Sequence, residues 1–265
     1  MNAIKESSQP GFAKLCGTLA VTALLAGCAS TGDKPSNATA KSGDAKMAES
    51  RPADAKSAAG VRPQKFKADD GRTIDIGKSS PSSDGWSYKN PHMEKCWIAD
   101  GFKFTGYDVL YIAPTLSTAK FNEKNEGEVK VHALARENLV RELDRSLGNK
   151  KIFAKIVTRE SDVPKEGKVL KIENTITEFT KGGGAARYFA GLYGAGQPVL
   201  RVLGNFTEGD KKLCSFEARR SGVSGGARLS GGFMKDEDVQ IDDIRSLVLD
   251  LTDFVAASAG KYQAK

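Results

Sequence analysis

The chain has 265 residues, a formal charge of +7, only two histidines and four cysteines. That length holds one domain of ordinary size beside a segment too polar to fold. The basic balance suits an anionic cell-wall polymer, acidic lipid heads or an acidic partner, and equally plain solubility; nucleic acid is excluded by the compartment that the leader specifies.

Lys5 and Lys14 give a basic start, and an apolar run follows over residues 15–26. That run is too short for a membrane span, which needs roughly 20 apolar residues. It closes on Leu25, Ala26, Gly27 and Cys28, which resembles the lipobox of bacterial lipoproteins. The resemblance implies that residues 1–27 are a signal peptide, that Cys28 is lipidated with palmitate-type chains, and that Ala29 in place of aspartate directs the protein to the outer membrane, on its periplasmic face. Each buried methylene adds about 0.8 kcal/mol, so several chains on one cysteine give an almost permanent membrane anchor.

Residues 28–66 are rich in Ala, Ser, Lys, Asp and Gly, a composition that buries too little surface to order itself. As a flexible tether they span on the order of 35 Å. Residues 67–95 read as a poorly ordered lead-in, with Trp86 and Tyr88 as docking points, and the folded domain as residues 96–265.

Val109, Leu110, Tyr111 and Ile112 make a short apolar strand that Pro114 ends. A helix over 128–147 carries Ala135, Leu139, Leu143 and Leu147 at steps of four, with Gly148 placed to stop it. Strands follow at 151–157 and 169–179, the second alternating Leu170, Ile172 and Ile176 with polar residues. A hairpin joins 198–207 to 211–220 through Glu208, Gly209 and Asp210, and turns Cys214 inward. A last helix over 237–259 has Ile241, Ile244, Val248, Leu251 and Val255 on one face, and Asp236, Glu237 and Asp238 at its positive end. This order predicts an α+β fold, a mixed sheet of about five strands with both helices on one face.

Cys16 leaves with the leader and Cys28 is acylated, so Cys96 and Cys214 remain; in an oxidising compartment they are expected to form a disulfide. Residues 181–196, KGGGAARYFAGLYGAG, hold glycines without a P-loop lysine or dinucleotide spacing. Arg187, Tyr188, Phe189 and Tyr193 instead make an apolar, partly cationic surface for a partner protein, a second copy or a membrane. A flexible strand connection explains the glycines equally well.

That run, with YDVLYIAP before it and PVLRVLGNFTEGDKKLCSFEA after it, resembles a family of bacterial lipoproteins designated domain of unknown function 4410, over residues 102–259. The element order is also similar to curli-secretion lipoproteins and penicillin-binding-protein activators. These resemblances imply fold more firmly than function and supply no catalytic residues.

His92 and His132 sit in no metal-ligand spacing. The expected function is therefore a lipid-anchored binding or assembly module without catalysis, cofactor or metal, with an envelope protein or a second copy as partner. A hydrolase with an unrecognised site, or an activator of a cell-wall enzyme, is the alternative.

Overall fold

The computed structural model describes residues 64–186, 196–222 and 235–265. Of the two compact units of the chain, all of these belong to the one spanning residues 56–265. None of its described helices is long and apolar enough to cross a membrane. The fold is α+β, with a large mixed sheet, a small three-stranded sheet and two long helices.

Strands β1 (Lys65–Lys67) and β2 (Thr73–Asp75) pair with the C-terminal β12 (Gln263–Ala264) in the small sheet. The large sheet takes β3 (Lys78–Ser82), β4 (Gly85–Lys89), β5 (Lys95–Ala99), β6 (Val109–Ile112), β7 (Leu116–Ser117), β8 (Lys155–Val157), β9 (Val169–Thr180), β10 (Val199–Glu208) and β11 (Lys211–Arg220). Its order is β3-β4-β5-β11-β10-β9-β6-β8, with β7 also paired to β9. Helices α1 (Glu126–Lys150) and α2 (Asp236–Ser258) pack on one face and on each other.

The expected lead-in is thus folded: β2, β3 and β4 lie within it, β1 crosses into it from the end of the expected tether, and β3 and β4 close a hairpin through Ser83 and Asp84. Strands β3 and β4 are built mainly of Ser, Lys and aromatic residues rather than aliphatic ones, and β2 has Ile74 alone, which hides them from a reading based on large apolar side chains.

Strand β6 is buried on both sides because it pairs in parallel with β8 and β9, and parallel strands are normally covered on both faces. Leu110 and Ile112 join the helix-side core, whereas Val109 and Tyr111 meet Ala113, Val157 and Val163 on the other side. Strands β9, β10 and β11 place Ile172, Ile176, Leu200, Val202, Phe206, Cys214 and Ala218 under the helices, all fully buried. Gly204 is required among them: a Cβ there would lie 2.1 Å from Phe216 Cε1, so the ring crosses the glycine.

Helix α1 begins at Asn125, whose side chain accepts the Glu128 N–H; this satisfies one of the unpaired donors at a helix start. Gly148 does not end it. The helix runs on to Lys150, and Lys151 takes the left-handed conformation with φ 50° while its N–H reaches Gly148 O. Helix α2 starts on Asp236, Glu237 and Asp238 as the charge pattern predicts. Lys130 pairs with Glu237 at 2.8 Å, tying the two helix starts together.

Candidate functional site

The sheet face opposite the helices carries its own pattern, because every second residue of each strand points away from the core. Across β3, β4, β5, β11 and β10 the residues Ser80, Ser87, Trp97, Ser215 and Asn205 stand in one register line. Beside this line Lys78 opposes Lys89 on β3 and β4, and Lys95 opposes Glu217, which opposes Leu203. The small serines beside Trp97 leave a groove of about 480 Å³. Trp97 Nε1 donates to Ser82 Oγ at 3.2 Å, and Lys212 Nζ lies 5.3 Å from the centre of the Trp97 ring. Leu203 stays 38% exposed.

Both carboxylates at the groove are held by cations. Glu217 meets Lys95 at 3.0 Å and Arg201 at 3.5 Å, and Arg201 reaches Glu94 at 2.6 Å. The Lys95 hydrogen bond is the largest influence holding the Glu217 carboxyl below its ordinary range. Farther along the same face Arg219 bridges to Glu178 at 3.1 and 3.3 Å, with the same effect on that carboxyl. Lys78, Lys89 and Lys212 make no ion pair among the described residues.

A second group of charges belongs to the fold. Asp253 of α2 is buried, accepts from Tyr262 at 2.6 Å, and pairs with Arg72 at 3.1 Å and Lys150 at 3.3 Å. One carboxylate thereby ties the small sheet, the end of α1 and the C-terminus to α2. Nearby, Arg220 donates to His92 O at 2.8 Å and pairs with Asp250. Burial raises the Asp250 carboxyl, against the pull of Arg220. His92, Asp250 and Asp253 line a cleft of about 370 Å³ together with Arg72, Asp75 and Asn90.

His132 Nε2 lies 2.9 Å from Ser117 Oγ. The ring stacks on Phe121 at 4.2 Å and meets the edge of Phe179 at 4.9 Å, and burial pushes its pKa down, with Arg136 adding to the effect. Those contacts make it a packing residue of the α1 face, as its place on the helical stripe suggests.

Cys96 and Cys214 both face the core, but they are free thiols. The residue directly opposite Cys214 is Ile98, and the one opposite Cys96 is Phe216. The two cysteines are therefore diagonal neighbours, roughly 7–8 Å apart in such a ladder, wider than the usual disulfide span. This corrects the expected bond, which the sequence separation alone could not place. Burial pushes the Cys96 thiol up to about 12 and the Cys214 thiol up as well.

Cys28, Arg187, Tyr188, Phe189 and Tyr193 lie outside the described residues. The flanks of the glycine-rich segment are clear: Thr180 pairs with Val199, and Gly183 N–H donates to Gly196 O at 2.9 Å. The segment therefore leaves and re-enters at one point of the β9–β10 ladder. Sequence reading missed the open-face line altogether. Its signal was the alternation of Lys95, Trp97 and Ala99 with Cys96 and Ile98, visible only once residues 78–99 are read as strands.

No protein-family model matches the chain, and no curated protein matches it. Among solved structures it is similar to the PelC dodecamer from Paraburkholderia phytofirmans, with a TM-score of 0.38, 11% identity, and coverage of 58% of this chain and 96% of that one. It is also similar to XCC0632 from Xanthomonas campestris, of the family DUF330, with a TM-score of 0.36, 8% identity, and coverage of 62% and 91%. Likeness at this level carries nothing about function.

Proposed function

We propose that this chain is an outer-membrane lipoprotein whose α+β domain works as a binding or assembly module, without catalysis, through the open face of its large sheet. Cys28 supplies the anchor and residues 29–63 the reach. The observation that carries the reading is the open face itself: five adjacent strands present a continuous line of Ser80, Ser87, Trp97, Ser215 and Asn205 over a groove of about 480 Å³. Exposed Leu203 and the half-buried Trp97 ring give apolar contact, and the ion-paired Glu94, Lys95, Arg201 and Glu217 make a firm polar border. The segment holding Arg187, Tyr188, Phe189 and Tyr193 is a second contact surface in this proposal.

A photoreactive residue at Asn205 in the full chain tests it in intact cells. Adducts should form there and be absent from the same residue at Leu249, which is exposed on α2 away from this face. Equal labelling at both positions would remove the open face as the binding surface. Tyr193→Ala and Arg187→Ala should weaken capture without unfolding the domain. The anchor has its own check: a Cys28→Ala protein should lose palmitate label and leave the envelope lipid fraction.

A further inference from the structure

We propose that the groove binds an acidic polysaccharide, a glycan whose rings carry carboxylates; this rests on reading the open face as the binding surface. Hydroxyl and amide side chains flank a single indole: Ser80 and Ser87 on one side of Trp97, Ser215 and Asn205 on the other. A pyranose offers both matching surfaces, an apolar C–H face for the indole and equatorial hydroxyls for the flanking side chains. Five strands at about 4.8 Å spacing give a line of roughly 19 Å, long enough for several linked rings laid across the strands.

Charge selects the acidic class. Lys78 and Lys89 stand directly opposite one another, and like charges so placed destabilise a sheet. Neither has a carboxylate partner among the described residues, and neither has Lys212, whose ammonium already lies over the Trp97 ring. Glu94 and Glu217 are neutralised by Arg201 and Lys95. A glycan carboxylate between Lys78 and Lys89 relieves their repulsion, and one beside the stacked ring meets Lys212. A protein partner fits less well, since the centres of protein interfaces are depleted in Lys and Ser, the residues that dominate here.

The test is calorimetric titration of the full chain in detergent with an oligogalacturonate, and with a cello-oligosaccharide of the same length. The acidic probe should bind in a salt-sensitive way, and the neutral one at least tenfold more weakly. Trp97→Ala should weaken the acidic probe about tenfold, the value of one ring contact. Because that variant also removes packing, Lys89→Gln with Lys212→Gln at two exposed positions provides an independent loss, expected to erase the preference for the acidic probe. Equal binding of both probes would overturn the choice of an acidic ligand. No binding of either would overturn the glycan, and adducts at Asn205 in cells would then identify a protein occupant and leave the open face as the binding surface. Loss of both the binding and the adducts would sink both readings.

Discussion

The two faces of the large sheet are built by the same strands and do different things. Toward the helices, Phe206, Val202, Leu200 and Ile176 are wholly buried. On the other face Thr175, Leu203, Asn205 and Ser215 stand half-buried or exposed among ion pairs. Alternation along one strand thus assigns stability to one set of side chains and leaves the other set free to carry recognition. The difference is sharp enough to break. Phe206→Ala should cost about 3–5 kcal/mol, the transfer of a large side chain plus the cavity it leaves. Asn205→Ala, one residue away, should change stability by less than about 0.5 kcal/mol. Urea unfolding of the two variants measures both values, and comparable losses would mean that the open face is part of the core.

Asp253 is one of the buried charges on the covered side, set among apolar neighbours. Asp253→Ala leaves Arg72, Lys150 and Tyr262 without their common acceptor. Removing one partner of a buried ion pair costs about 3–5 kcal/mol; the exposed side of Arg72 moves this case toward the lower end. The loss should come with faster amide exchange in the small sheet and at the C-terminus, because those are the elements that the carboxylate ties down.

Asp243 sharpens the same contrast through pH. Its carboxyl is pushed up to about 6, first by burial, against the opposing hydrogen bond from Gly222 N–H at 2.8 Å. A folded pKa above the unfolded one means that the folded state binds the proton more tightly. The stabilisation from that proton is complete below about pH 4 and is lost as pH rises through 6. Asp243→Asn keeps an acceptor for Gly222 and removes the titration. Relative to the variant, the wild type should lose on the order of 2–3 kcal/mol between pH 4 and pH 7. Parallel stability curves for the two proteins across that range would show that the carboxyl titrates normally.

The helices and the long strands could be read from the sequence because their signals are long and periodic. Leu139, Leu143 and Leu147 recur once per turn, and Leu170, Ile172 and Ile176 alternate cleanly. The hairpin from β10 to β11 was set by Gly209, whose φ of 56° suits glycine. What escaped were elements held by long-range pairing. Strands β1 and β2 are three residues each and depend on β12, almost 200 positions away. Ser79, Ser80 and Pro81 carry no strand signal of their own, yet they pair with β4. The end of α1 was misplaced because Gly148 has good C-cap chemistry, while burial of Leu147 and the contact of Lys150 with Asp253 draw the helix onward. The candidate groove went unseen for the same reason as β3 and β4, since its line of side chains exists only across strands.

The smallest effect separates the faces most finely. Glu178 and Arg219 meet across β9 and β11 on the open side, with side chains 42% and 37% exposed. Water competes for such a pair and holding two long side chains still costs entropy, so its contribution belongs near the bottom of the range for surface ion pairs. Glu178→Gln should lower stability by about 0.5 kcal/mol or less. The effect should vanish at 1 M salt, where the screening length falls to about 3 Å. A loss above about 1 kcal/mol that persists in salt would mean that the charged border is structural, in which case the groove is a by-product of sheet stabilisation rather than a surface kept for a ligand. A small, salt-sensitive loss leaves the charges of this face free to be selected by what they bind.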